Sequence, residues 1–101
     1  MKEADLTRKI KRALEDAFQG SFWIKIPGTR YLAGVPDLLG CVYGAFVAIE
    51  VKRPDSSYGV TERQAANIER IQQAGGIAFV ARSVGEATEQ LLRALEGRKS
   101  A

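Results

Sequence analysis

Between Ala45 and Lys52 the chain reads AFVAIEVK, and this run constrains the fold more than any other stretch. Val47, Ile49 and Val51 give a strand one apolar face, and Phe46 and Ala48 make the other largely apolar too. A strand without a wet face belongs in the middle of a sheet, covered on both sides. Upstream, Tyr43-Gly44 separates it from a second extended stretch at residues 37–42, the layout of a hairpin. Downstream, a helix-length segment leads to IAFVA at 77–81, the spacing of a right-handed crossover into a parallel neighbour.

The remaining segments supply the other layers. In ADLTRKIKRALEDAF, residues 4–18, Leu6, Ile10, Leu14 and Phe18 recur at four-residue steps, predicting an amphipathic helix that Gly20 ends. FWIKI, 22–26, is aromatic and β-branched and stops at Pro27-Gly28, so it reads as a strand. TRYLAGV and KRPDSSYG read as loops. Thr61 opens a second helix with Ile68 and Ile71 facing inward, Gly75-Gly76 closes it, and Val84 to Leu95 forms the last helix. The expected order is α-β-β-β-α-β-α, an α/β mixed sheet with flanking helices. A chain of 101 residues has room for one core, so residues 1–96 are one domain and 97–101 a tail expected to fray.

Composition narrows the chemistry. There is no histidine, so no Ser–His or Cys–His pair and no histidine base. The single cysteine, Cys41, rules out an internal disulfide and makes a structural zinc site implausible; it favours a reducing compartment, a bacterial or host-cell cytoplasm. No apolar run reaches the ~18–20 residues of a membrane span and no signal-peptide layout opens the chain, so no membrane partner is expected. The net charge of +3 points to an anionic partner, of which nucleic acid is the commonest. Catalysis would have to rest on carboxylates, lysine, tyrosine or a hard metal ion.

The hairpin collects such groups. With Tyr43-Gly44 as a two-residue turn, facing residue numbers sum to 87, which sets Asp37 opposite Glu50. Their Cβ atoms would then lie ~4.5–5.5 Å apart on one face, and Lys52 shares that face because strand side chains alternate. Two carboxylates this close repel unless something positive lies between them, and a divalent cation of the magnesium or manganese type suits oxygen ligands. The plainer alternative makes Asp37 a turn cap after Pro36, with Glu50 and Lys52 as surface charges.

Pro36-Asp37, twelve intervening residues, and Glu50-Val51-Lys52 resemble the PD-(D/E)xK nuclease signature. The fuller layout (GVPD, the hairpin, AIEVKRP, TERQ, GGIAFVARS) is similar to its VRR-NUC branch, especially the small stand-alone viral and bacterial forms, from about Glu3 to Val84. That resemblance implies a restriction-endonuclease-like fold. It makes Asp37, Glu50 and the backbone carbonyl of Val51 the ligands of Mg2+ or Mn2+, and Lys52 the residue that positions water and counters charge on the phosphate. Glu3 matches an acidic residue that related nucleases carry on the first helix as a further ligand, although a carboxylate is also favoured at any helix start. Gln64 matches the family's helical glutamine near the site, although Thr61 and Gln64 also fit a capping box.

Lys25, Arg30, Arg53 and Arg63 flank the site in sequence and are candidates for phosphate contact, as is Tyr31 beside Arg30; basic residues are also common on ordinary solvated surface. The implied activity is structure-specific DNA endonuclease, cutting four-way (Holliday) junctions as a homodimer, because such a junction has two-fold symmetry. Trp23 and Phe79 read as core; for a dimer surface the chain offers the edge strand that carries Trp23 and the last helix, where Leu91, Leu92 and Leu95 exceed what one stripe needs. A flap or restriction-type endonuclease, and a catalytically idle DNA-binding module, are the alternatives. An idle copy has no physical reason to keep a repelling carboxylate pair.

Overall fold

The structure, a computed structural model, describes every residue except Tyr58, Ser100 and Ala101, and of Lys99 the backbone alone. Its elements are α1 (Glu3–Ala17), β1 (Phe22–Lys25), β2 (Leu38–Val42), β3 (Ala45–Val51), α2 (Glu62–Gln73), β4 (Ile77–Ala81) and α3 (Val84–Lys99). The expected α-β-β-β-α-β-α order holds. A short 3-10 turn, Arg30–Leu32, lies within the loop expected between β1 and β2. The last helix continues to Lys99, past the expected end at Leu95, because residues 96–99 contain no breaker but Gly97. Of the tail expected at 97–101, Ser100 and Ala101 lie outside the described residues, as does Tyr58 of the polar loop.

The hairpin forms in the expected register. Val42 pairs with Ala45 and Leu38 with Ile49, all antiparallel. Tyr43 at φ 50° and Gly44 at φ 84° both occupy the left-handed region, as a two-residue turn that follows the strand twist requires. The crossover through α2 returns β4 parallel to β3, from Val47↔Ile77 to Val51↔Ala81. The sheet runs β1-β2-β3-β4, so β3 is internal.

One face of the sheet carries Leu38, Val42, Val47, Ile49, Val51 and Ala81, all buried, beneath Leu6, Ile10 and Leu14 of α1, Phe18 just past its end, and Ala87 and Leu91 of α3. Trp23 joins this face. It is 5% exposed, its indole N–H donates to Ser21 Oγ at 2.9 Å, and its ring lies across Gly40. A Cβ on Gly40 would sit 2.4 Å from that ring, so β2 needs glycine there. Trp23 is thus a core residue, as expected, but the expectation that the last helix has apolar side chains to spare is corrected: Leu91 is buried and Leu95 packs against the core, so only Leu92 there stays exposed.

The opposite face is covered unevenly. The twelve residues of α2 pack mainly over β4 and β3. Ala48 and Glu50 lie buried beneath it, but Phe46 is 47% exposed, and Phe22 and Ile24 of β1 are exposed beside it. The expectation that β3 is covered along both faces fails at Phe46, because one short helix cannot span four strands.

Candidate active site

The strand directions gather one end of the sheet into a site. The carboxyl ends of β1, β3 and β4, the start of β2 and the first turn of α2 meet there. Past Leu38↔Ile49, the next pair to exchange ladder hydrogen bonds would be residues 36 and 51. Residue 36 is proline, with no N–H to give the Val51 carbonyl. The Val51 N–H instead donates to Asp37 Oδ2 at 2.7 Å. On the other side of β3, the Lys52 N–H donates to the Ala81 carbonyl at 3.0 Å, which ties the site's end of β3 to β4. The Val51 carbonyl is thus on the Asp37 side of the strand, since the N–H and C=O of one strand residue point the same way.

Glu50 is 2% exposed, an unusual position for a carboxylate. Its Oε2 accepts from Gln64 Nε2 at 3.0 Å and lies 3.7 Å from Lys52 Nζ. Its Oε1 is buried with no hydrogen-bond partner among the described residues. Burial, and next the negative charge of Asp37, push the Glu50 carboxyl up to about 8; Lys52 opposes, while a proton shared with Asp37 and the charge of Glu3 add to the rise. Protonated, Glu50 can share its proton with Asp37; ionised, it leaves a buried oxygen that nothing among the described residues satisfies. A buried carboxylate of this kind is stable when a cation takes the unpartnered oxygen.

The donor set fits a hard divalent cation: carboxylate and carbonyl oxygens, with neither imidazole nor thiolate near. Among the described residues no three acidic or cysteine side chains gather into one metal-binding group. Two carboxylates and a carbonyl leave positions open for water and phosphate, the habit of magnesium sites. Glu3 is half-buried at the start of α1 and near enough to influence Glu50, but it does not complete such a group.

Gln64 does both things its sequence context suggested. Its backbone N–H donates to Thr61 Oγ1 at 3.1 Å and its Oε1 accepts from the Thr61 N–H at 2.9 Å, closing the capping box, while its Nε2 reaches Glu50. Arg30 and Tyr31 stand at the tip of the 3-10 turn, the guanidinium 5.8 Å from the ring centre and Tyr31 86% exposed. Asn67 Nδ2 ties that loop to α2 by donating to the Gly34 carbonyl at 2.7 Å. Arg63 packs at Gly34 from the same helix. Arg53 is exposed beside Asp55, at 3.8 Å, and Lys25 ends β1 half-buried near the start of β2.

Two neighbours were not singled out by sequence. Arg82 follows Ala81, the partner of Val51, and so stands beside Lys52; its guanidinium donates to the Arg53 carbonyl at 2.9 Å. The parallel β3–β4 pairing, inferable from the crossover, is the signal for it. Asn67 carries no such signal, because its contact with Gly34 spans a separation that only the packed fold sets.

No family model matches the sequence, and no curated protein matches it either. Solved structures do match. One titled "VRR_NUC domain" aligns at 22% identity over 84% of this chain and 92% of its own, with a TM-score of 0.62. Another, "VRR_NUC domain protein", aligns at 20% identity over 91% of this chain and 86% of its own, with a TM-score of 0.66. The order of elements, the mixed sheet and the near-complete coverage of both chains lead to one conclusion: this chain has the VRR_NUC domain fold.

Proposed function

We propose that the protein is a magnesium- or manganese-dependent DNA endonuclease that nicks four-way junctions as a homodimer. The observation that carries this reading is Glu50: a buried carboxylate beside Asp37 and Lys52, with one oxygen unsatisfied. A purely structural residue at this position would be apolar or fully paired, because an orphaned buried oxygen costs about 1–3 kcal/mol. The likeness in fold to VRR_NUC domains supports the same reading.

Asp37, Glu50 and the Val51 carbonyl would hold the cation, with Glu3 the candidate for a further ligand. When bound, the cation supplies Lewis-acid chemistry, acidifying water and offsetting charge on the phosphodiester. Asp37 also fixes the end of β3 through the Val51 N–H, so the carboxylate and carbonyl move as one unit. Lys52 reaches past Glu50 to orient the attacking water and to meet the negative charge that grows on the phosphoryl oxygens. Water attacks phosphorus in line and gives up a proton to solvent; the opposite P–O bond breaks, and the departing strand oxygen takes a proton from solvent. Gln64 holds Glu50 in place. Lys25, Arg30, Tyr31, Arg53, Arg63 and the neighbouring Arg82 would grip the backbone around the cut, a sequence-independent contact that weakens with salt.

Of the two surfaces that sequence suggested for a dimer, the edge strand that carries Trp23 is the one kept, since the last helix leaves only Leu92 exposed. At the β4 edge, the outward carbonyls of Ala78 and Val80 are taken by Gln72 and Gln90, each at 2.8 Å. That edge is blunted against pairing. The β1 edge lies beside the open apolar face of Phe22, Ile24 and Phe46, which favours it for a second copy. Cleavage of duplex, flap, splayed and four-way substrates in magnesium, manganese or EDTA tests the activity, and sedimentation of the protein and a Phe22→Glu variant tests the assembly. Paired symmetric nicks in junctions by a dimer are expected. A monomer that cuts flaps as readily would move the substrate to branched DNA of another kind, and activity undiminished by EDTA would overturn the metal chemistry.

A further inference from the structure

Gln64 is held from both ends, and what holds it is the hydroxyl and backbone of Thr61. An amide side chain can turn over and exchange its oxygen for its nitrogen, which would present Glu50 with a second acceptor instead of a donor. Here it cannot turn. The Thr61 N–H points at Gln64 from 2.9 Å, and an N–H requires an acceptor, so the Gln64 oxygen must face Thr61. The same side chain's NH2 is then left facing Glu50 Oε2, at 3.0 Å. The Thr61 hydroxyl completes the arrangement by accepting from the Gln64 backbone N–H at 3.1 Å, which sets the first turn of α2 at the height of the site. With Oε2 occupied by Gln64 and faced by Lys52, the oxygen left open is Oε1.

We propose that Thr61 is a positioning residue of the metal site. The capping box that starts α2 also orients the Gln64 amide, so that Gln64 takes one oxygen of Glu50 and the other is turned, as a single ligand atom, toward the cation. This rests on the reading of Asp37 and Glu50 as cation ligands. It goes beyond that reading by making the metal affinity depend on an exposed threonine that touches neither metal nor substrate. Partners that orient a ligand in this way typically shift metal affinity by about 10–100-fold when removed.

The test compares Thr61→Val, which keeps the shape and the backbone N–H but removes the hydroxyl that sets the first turn of α2, and with it the reach of Gln64 to Glu50, with Thr61→Ser, which keeps that hydroxyl. A third variant, Ser83→Ala, removes an ordinary helix cap, the Ser83 hydroxyl that accepts from the Glu86 N–H at 3.0 Å on α3. Mn2+ binding is measured by electron paramagnetic resonance of the free ion, with no DNA present. Exchange of the Gln64 side-chain NH2 is followed by NMR. Thr61→Val is expected to weaken Mn2+ binding about tenfold and to speed Gln64 NH2 exchange. Thr61→Ser should stay within about twofold of the parent and Ser83→Ala should leave Mn2+ binding unchanged, since the Ser83 hydroxyl is engaged by α3's Glu86 N–H and holds neither Gln64 nor Glu50. Thr61→Val with parental Mn2+ affinity overturns the proposal, as does equal weakening in Ser83→Ala, which would mean general loss of helix stability. Parental protein that binds no Mn2+ at all overturns the underlying metal reading instead, and this proposal with it.

Discussion

Replacing Glu50 by glutamine should stabilise the metal-free protein at high pH while removing a charged ligand from the proposed metal site. The Glu50 carboxyl titrates near 8 in the folded chain, against about 4.5 for a free glutamate side chain. Between those two values the folded protein binds a proton that the unfolded chain does not. Stability is therefore full below about pH 4.5 and falls as pH rises through 8, the reverse of a salt-bridged carboxylate. Each tenfold change in proton affinity is worth about 1.4 kcal/mol, so the ionised Glu50 costs the metal-free fold about 5 kcal/mol at pH 9. Glutamine has nearly the same shape, still accepts from Gln64, and carries no charge to bury, but it leaves Lys52 without its partner. A net gain of about 2–3 kcal/mol at pH 9 is expected, or a rise in Tm on the order of 10 °C for a domain of this size. At pH 4.5 the two proteins should melt together. Thermal melts by circular dichroism in EDTA at pH 4.5, 7 and 9 measure this. Adding Mg2+ or Mn2+ should stabilise the parent by about 2.7 kcal/mol at a hundredfold excess over Kd, seen as a higher Tm, and leave the variant unmoved. A parent whose EDTA melts do not fall relative to the variant between pH 4.5 and 9 would refute the assignment of Glu50 as a buried, strained carboxylate.

Further outcomes follow from other parts of the structure. Asp37→Asn should abolish cleavage and lower Mn2+ affinity at least tenfold, because it removes one charged ligand from a site with few; titration with Mn2+ and a nicking assay measure the two effects. Lys52→Ala should abolish cleavage while DNA affinity, followed by fluorescence anisotropy, changes less than about threefold, since binding draws on many phosphate contacts. Gly40→Ala should cost about 1–3 kcal/mol or more in urea unfolding, because the added methyl meets the Trp23 ring at 2.4 Å. Tyr43→Asn should add about 0.5–1 kcal/mol, since Tyr43 is exposed at φ 50° and asparagine tolerates that backbone better; an unchanged urea midpoint would count against the turn assignment.

The hairpin, and everything that hangs on it, is legible in the order of residues alone. A two-residue turn sets register by counting and strand alternation sets faces, so Asp37, Glu50 and Lys52 come together from local rules. The crossover length likewise makes β4 parallel to β3, and through it the position of Arg82 is within reach of the same reasoning. Which apolar residues are covered, and by what, depends instead on how the layers pack. Alternation puts Phe22 and Trp23 on opposite faces of β1, but it does not say which face is inside; that depends on α1, α3 and the gap left by Gly40 in the neighbouring strand. Leu91 and Leu92 divide in the same way, the first buried and the second exposed, because α3 turns only one side toward the sheet. The double duty of Gln64 belongs here too. Its cap is local and legible, whereas its reach to Glu50 requires α2 to lie across β3 and β4 at one height, a distance that packing between layers sets and no local periodicity encodes.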